Sequence, residues 1–286
     1  MNMKKEIKDM MRNAIQLEID GEETYTKGGT RFGGVPDVPS DFEWPYFTSD
    51  GISDDEIRPR PLSFLAQFNL EKIAPLDTEH MLPEKGVLSF FYDADSQVWG
   101  YDPKHKGCAK VYWFENTEKL FPAEFPDDMA ENFRFPMLKI TAKAEPSYPS
   151  YEDFGVNMDG SPVKWVERWD EFDKIRSSIV DEGPEDIHKL LGWADPIQEN
   201  MTQECELVSR GYYCLGGEYD NIPARDRQEA IDFSVRDWLP LFQLSSFCYG
   251  DFELIFGDCG RIYYYIKRDD LKNKRFEKAW LILQCC

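Results

Sequence analysis

Gly86-Val-Leu-Ser-Phe-Phe91 and Gly260-Arg-Ile-Tyr-Tyr-Tyr265 decide how this chain is read. Both are short, rich in aromatic and β-branched residues, and bounded by glycine, which is the pattern of a strand. They lie 174 positions apart, and the sequence around them matches in the same order. Leu65-Ala-Gln-Phe68 sets against Leu241-Phe-Gln-Leu244 at an offset of 176, and Ala109-Lys-Val-Tyr-Trp-Phe114 against Ala279-Trp-Leu-Ile-Leu-Gln284 at 170. A loop, Phe32-Gly-Gly-Val-Pro36, sets loosely against Leu191-Gly-Trp-Ala-Asp195 at 159. Ordered matches with slowly drifting offsets predict a duplicated three-strand unit. The alternative is that strand propensity alone makes aromatic strands look alike.

The expected fold is mainly β, α+β by content. It has antiparallel sheets from two pseudo-repeated three-strand units, an N-terminal helix and a few flanking helices. A three-strand sheet alone leaves its apolar face uncovered. One domain over 1–286 is therefore expected, its halves (about 28–120 and 188–286) joined by an acidic, helix-containing connection, 121–187.

Local patterns fill in the rest. Residues 3–19 read as an amphipathic helix, with Ile7, Met10, Met11, Ala14 and Leu17 on one face. Thr30 to Pro45 carries glycines and prolines that forbid a helix or a central strand, so it reads as an ordered loop. Ser49 to Arg60 reads as an exposed polar excursion. Strands are expected at Leu62–Phe68, Val87–Tyr92, Ala109–Phe114, Met137–Thr141, Leu239–Leu244, Phe252–Phe256, Arg261–Ile266 and Ala279–Gln284. Helices are expected at Val163–Val180, Pro184–Leu191 and Ala224–Val235.

In 286 residues, 33 basic and 54 acidic side chains leave a net charge of −21. Residues 151–220 alone hold 17 acidic and 6 basic groups, and 221–286 are neutral. Nucleic acid and anionic membrane need clustered Lys and Arg, so neither is an expected partner. No apolar run approaches the length of a membrane span. The N-terminus has no apolar signal region, and seven cysteines without a C-x-x-C pattern read as reduced thiols, which predicts a cytoplasmic protein.

Chemistry-bearing motifs are few. Three histidines and seven cysteines show no zinc spacing, and Asp93-Ala-Asp-Ser-Gln97 has Val98 where a calcium loop needs glycine. No phosphate-binding glycine motif occurs in the right context. No metal and no cofactor is expected. Gly257-Asp-Cys-Gly-Arg261 reads as a hairpin turn with its glycines at positive φ and Asp258 bonding backbone; the competing reading makes Cys259 a nucleophile. Gln67 and Gln243 occupy matching places, either as readers in a cleft between the halves or as partners of strand-end backbone. Trp44 and Trp193 sit on loops, as contact residues or as packed lids. The binding candidates are thus Trp44, Gln67, Trp193, Gln243, Asp258 and Arg261, with no catalytic set.

Phe32-Gly-Gly-Val-Pro36, Phe42-Glu-Trp-Pro45, Pro61-Leu-Ser-Phe-Leu-Ala-Gln67, Gly86-Val-Leu-Ser-Phe-Phe-Tyr-Asp93 and Gly257-Asp-Cys-Gly-Arg-Ile-Tyr263 resemble the YwqG-like family, a bacterial family of unknown function. The resemblance runs from about residue 28 to the end. It departs at Leu191-Gly-Trp-Ala-Asp195, where the family tends to show Gly-Gly-x-Pro. It implies a mainly β fold with a duplicated unit, and no established activity. Members often lie near toxin and immunity genes, which implies an immunity or adaptor role. The functional expectation is a non-enzymatic binding protein for a basic protein partner. The alternatives are a hydrolase-like enzyme or a small-ligand binder with its site between the halves.

Overall fold

The computed structural model describes residues 2–51, 54, 56–155, 168–180, 187–215 and 219–286. A short helix α1 (Met3–Asp9) leads into β1 (Arg12–Glu22) and β2 (Arg31–Phe32). Three short strands follow, β3 (Asp37–Pro39), β4 (Tyr46–Ser49) and β5 (Arg58–Pro61). Then come β6 (Ser63–Asn69), helix α2 (Leu70–Ile73), β7 (Val87–Tyr92), β8 (Ala109–Phe114) and β9 (Leu120–Pro122). The middle of the chain supplies β10 (Leu138–Ser147), α3 (Tyr151–Phe154) and α4 (Trp169–Ser177). The remainder is β11 (His188–Leu191), α5 (Thr202–Ser209), α6 (Ala224–Asp237), β12 (Trp238–Ser245), β13 (Phe247–Tyr249), β14 (Phe252–Leu254), β15 (Arg261–Lys267), α7 (Arg268–Lys272) and β16 (Trp280–Gln284).

Ten strands form one antiparallel sheet in the order β16-β15-β12-β11-β1-β10-β2-β6-β7-β8. Its two arms mirror each other: β6, β7 and β8 follow one another outward on one side, and β12, β15 and β16 do so on the other. The centre is the β1–β10 pair, where Leu17 faces Ala142 and Ile19 faces Ile140 on either side of Glu18 and Thr141. Both central strands also pair with strands far off in sequence. β1, from the start of the chain, pairs with β11, whereas β10 pairs with β2.

The strands read as apolar on both faces because both faces are covered. On β7, Leu88, Phe90 and Tyr92 enter the main core, and Phe91 enters a second cluster with Leu62 and Phe64. On β15, Ile262, Tyr264 and Ile266 face the main core while Tyr263 and Tyr265 face the helices. The arms curl until their inner faces meet. Phe90 lies 4.6 Å from Phe242, ring centre to ring centre, and the Tyr264 hydroxyl donates to the Phe91 carbonyl at 2.8 Å. Each such ring contributes about 2–3 kcal/mol by leaving water, so the core belongs to both halves.

Several expectations need correction. The helix read over 3–19 stops at Asp9, and β1 begins at Arg12. Ala14, Leu17 and their neighbours satisfy a helical period, but Ile15-Gln-Leu-Glu-Ile19 also alternates, and two waiting neighbour strands settle the conflict. His188–Leu191 is a strand, not the end of a helix, for the same reason; residues 184–186 of that expected helix lie outside the described residues. Of the helix expected at Val163–Val180, Trp169–Ser177 forms, and 163–167 lie outside the described residues. The loop read at 30–45 contains β2 and β3, each only two or three residues long. Ser49 and Arg60 are buried rather than exposed, since β4 pairs with β5 and Arg60 bonds Asp95 at 2.6 Å.

Gly257-Asp-Cys-Gly260 is a turn, but it is not a hairpin. It carries the chain from the β13–β14 ribbon into the large sheet. Gly257 and Cys259 take the positive φ, both 55°. Gly260 is needed for close approach instead, because a Cβ there would lie 2.2 Å from the Gln284 carbonyl.

Candidate functional site

Two buried basic–aspartate–glutamine triads hold equivalent loops. In the first, Arg31 and Gln67 are register partners on β2 and β6. Arg31 pairs with Asp37 at 3.0 Å; Gln67 accepts the Asp37 N–H at 2.9 Å and donates to its Oδ2 at 2.7 Å. Gly28 N–H and the Tyr25 hydroxyl complete the carboxylate's shell at 2.8 and 2.9 Å. In the second, Lys189 and Gln243 are register partners on β11 and β12. Lys189 pairs with Asp195, and Gln243 accepts the Asp195 N–H at 2.9 Å and donates to its Oδ2 at 3.1 Å. Burial pushes the Asp195 carboxyl up, but Lys189 and Gln243 outweigh it and hold it low.

The loops match as well. Gly33 and Gly34 have φ of 58° and 68°, and Leu191 and Gly192 have 59° and 77°. These two φ pairs lie 158 residues apart, one less than the offset of the sequence match.

Asp195 anchors the stretch 195–200, and that stretch walls a cleft of about 570 Å³. Trp99 and Tyr101, from the loop after β7, form one side; Gln198, Glu199, Asn200, Glu204, Leu215 and Tyr219 form the other. The cleft thus lies where a first-half loop meets the second half. Trp99 is held by its own carbonyl, which accepts the Leu283 N–H at 3.0 Å, and the next carbonyl, of Gly100, accepts Trp280 Nε1–H at 2.8 Å.

Glu204 is the unusual member. It sits on α5 at 8% exposure, and its Oε1 accepts the Tyr219 hydroxyl. Its Oε2 is buried without a hydrogen-bond partner. Burial raises this carboxyl above its usual range, and Tyr219 offsets only part of that rise. Glu206, two residues on, shows the ordinary solution. Burial raises it too, but Lys267, Trp238 Nε1–H and Arg210 bond it at 2.8, 2.7 and 2.8 Å and hold it low. An unsatisfied buried carboxyl oxygen costs about 1–3 kcal/mol or more, so Glu204 is a stress that a ligand would relieve.

A second cleft of about 550 Å³ straddles β1 and β10, lined by Gln16, Glu18, Thr141, Lys143, His188 and Cys248 among others. Its imidazole is already committed. His188 Nδ1 accepts the Ser245 N–H at 3.2 Å, and burial lowers the ring to about 4, so it is neutral.

A family model described as a domain of unknown function (DUF1963) matches residues 30–285. The chain belongs to the DUF1963 family. No curated protein matches it.

In this DUF1963 chain the candidates read from sequence do not converge on one point. Gln67 and Gln243 sit in separate triads. Trp44 donates to the Leu62 carbonyl at 2.9 Å and packs on Phe42, Phe91 and Phe125. Trp193 is buried, donates to the Met10 carbonyl at 2.8 Å and lies under the Arg12 guanidinium. Arg261 does approach Gln243: both bind the Asp195 residue, Arg261 by donating to its carbonyl at 2.9 Å. Asp258 is exposed on its turn.

Glu204, Trp99, Tyr101 and Tyr219 escaped the sequence reading. The one local signal is Thr202-Gln-Glu-Cys-Glu-Leu-Val208, where glutamates interrupt a helix buried nearly all round. The aromatics come from loops whose meeting only the fold decides.

Proposed function

We propose that this chain is a non-enzymatic, cytoplasmic binding protein for a basic protein partner, in an immunity or adaptor role, and that it belongs to the YwqG-like group. The cleft between Trp99, Tyr101, Tyr219 and Glu204 is the contact point. The observation that carries this reading is the buried, unpartnered Oε2 of Glu204, a residue that lines an aromatic-walled cleft with a second carboxylate, Glu199, at its exposed rim. Aromatic faces attract cations, and the −21 net charge steers a positive partner toward the surface. The Lys189–Asp195–Gln243 triad and Arg261 then act as positioning residues for the wall at 195–200. Duplication of a β unit, with the first strands exchanged between halves, accounts for the sheet order and the twin triads.

The test is a pull-down with basic domains encoded beside the gene, at about 50 and about 200 mM salt, a range over which screening changes. Capture that weakens with salt and is lost in a Glu199→Lys/Glu204→Lys variant is expected. Equal capture by that variant would overturn the reading.

One observation favours a second reading. A glutamate whose carboxyl is raised by burial, beside a second carboxylate and aromatic walls, is the equipment of a general acid in hydrolysis. Turnover of a chromogenic glycoside panel that Glu204→Gln abolishes would replace the binding reading with this one.

A further inference from the structure

We propose that the cleft is a receptor for a single lysine side chain, whose ammonium docks on Glu204 Oε2 between the rings of Trp99, Tyr101 and Tyr219. This rests on the basic-partner reading above and names what that partner presents.

The polar groups of the cleft show why the ligand is a cation. Gln284 is spent: its Oε1 accepts the N–H groups of Ile197 and Gln198 at 3.0 and 3.2 Å, and its Nε2 donates to the Glu199 carbonyl at 2.9 Å. Asn200 is spent as well, accepting from the Thr202 N–H and hydroxyl at 2.8 and 2.6 Å and donating to Asp153. Among the described residues lining this cleft, Glu204 Oε2 is the buried polar side-chain atom left without a partner. A carboxylate oxygen calls for a donor, and a charged donor gives the shorter and stronger bond. Three aromatic residues, Trp99, Tyr101 and Tyr219, line the same cleft, and aromatic faces attract positive charge.

The number of free oxygens selects among cations. A guanidinium binds a carboxylate as a two-pronged fork and needs both oxygens. Tyr219 already occupies Oε1. One free oxygen suits a point charge with rotatable donors, which is the lysine ammonium. A trimethylated ammonium keeps the charge but has no N–H to give to Oε2. An acetylated lysine loses the charge. The raised carboxyl of Glu204 is consistent with an acid waiting for a counter-ion.

The experiment titrates the full chain with four capped amino acids, Nα-acetyl N-methylamides of lysine, Nε-acetyl-lysine, Nε-trimethyl-lysine and arginine, by NMR or calorimetry. The lysine probe is expected to bind at least tenfold tighter than each of the others. Glu204→Gln, nearly isosteric, is expected to weaken it at least tenfold while keeping the wild-type thermal midpoint or raising it. Tyr219→Phe frees Oε1 and is expected to shift preference toward arginine, which also decides the matter should Glu204→Gln misfold. Equal lysine binding by wild type and Glu204→Gln, equal lysine and arginine affinity in the wild type, or unchanged preference in Tyr219→Phe would each overturn the proposal. A decalysine peptide separates the two levels. Equal binding to wild type and Glu204→Gln leaves the basic-partner reading standing and removes this site, whereas no binding to wild type at low salt removes both.

Discussion

Gln67 and Gln243 grip their aspartates in the same way at two places in the sheet, each accepting an aspartate N–H at 2.9 Å while donating to the same residue's carboxylate. Replacing either by leucine takes one donor from the aspartate carboxylate and leaves the aspartate N–H without its acceptor. Gln67→Leu and Gln243→Leu are each expected to cost about 2–3 kcal/mol in urea unfolding. The triads have no residue in common, so the double variant should show near-additive loss. Gln243→Leu should also weaken binding in the cleft, because Asp195 leads into its wall; Gln67→Leu should not.

Arg31 is buried against Asp37, which is itself fully buried. Removing one partner leaves a buried charge, so Arg31→Met is expected to cost about 3–5 kcal/mol. Arg31→Met combined with Asp37→Asn should recover part of it. Chemical denaturation of the two variants side by side checks this.

His188 supplies a pH dependence. Burial lowers its imidazole from 6.5 to about 4. The unfolded chain therefore takes up the proton first, so the stability that neutral His188 supplies is full above 6.5 and is lost as pH falls toward 4, by up to about 3 kcal/mol. Asp153, which burial raises to about 6, works in the opposite sense over the same window. The comparison is therefore made between wild type and His188→Gln, whose difference in unfolding free energy should shrink between about pH 7 and about pH 4.5.

Gly100 couples the cleft to the core. Its φ is +89°, and a Cβ there would lie 1.9 Å from the Leu281 carbonyl. Gly100→Ala is expected to cost about 3 kcal/mol or more. It should also displace Trp99 and Tyr101 on either side of it, so thermal midpoint and lysine-probe affinity should fall together.

Cys259 is exposed on a turn and takes a φ of 55°. Cys259→Ala should leave unfolding free energy within about 0.5 kcal/mol of wild type. It should also leave capture of a basic partner unchanged, and a pull-down beside the wild type checks that.

Strands such as Val87–Tyr92 and Ala109–Phe114 were legible to the residue because aromatic and β-branched runs bounded by glycine suit one backbone state. The twin glutamines were legible as equivalent positions for the same reason, since they ride on those matched strands. Their aspartates were not, because Asp37, at the start of the three-residue β3, and Asp195, on a loop, take positions that depend on a buried cation from a neighbouring strand. β1 was misread because Ile15-Gln-Leu-Glu-Ile19 fits two periods, and only β10 and β11 on either side choose between them.

By itself, then, the sequence determined most of the strands, the likeness in sequence between its two strand-rich stretches and the negative charge, all of which follow from local composition. The tertiary structure decided three other things: which strands sit at the centre, that β1 pairs with β11 and β10 with β2, and that Glu204 shares a cleft with Trp99 and Tyr101. The reason is physical. Propensity acts over a few neighbouring residues, whereas Trp99 and Glu204 are brought together by a curled sheet whose two arms must cover the same core.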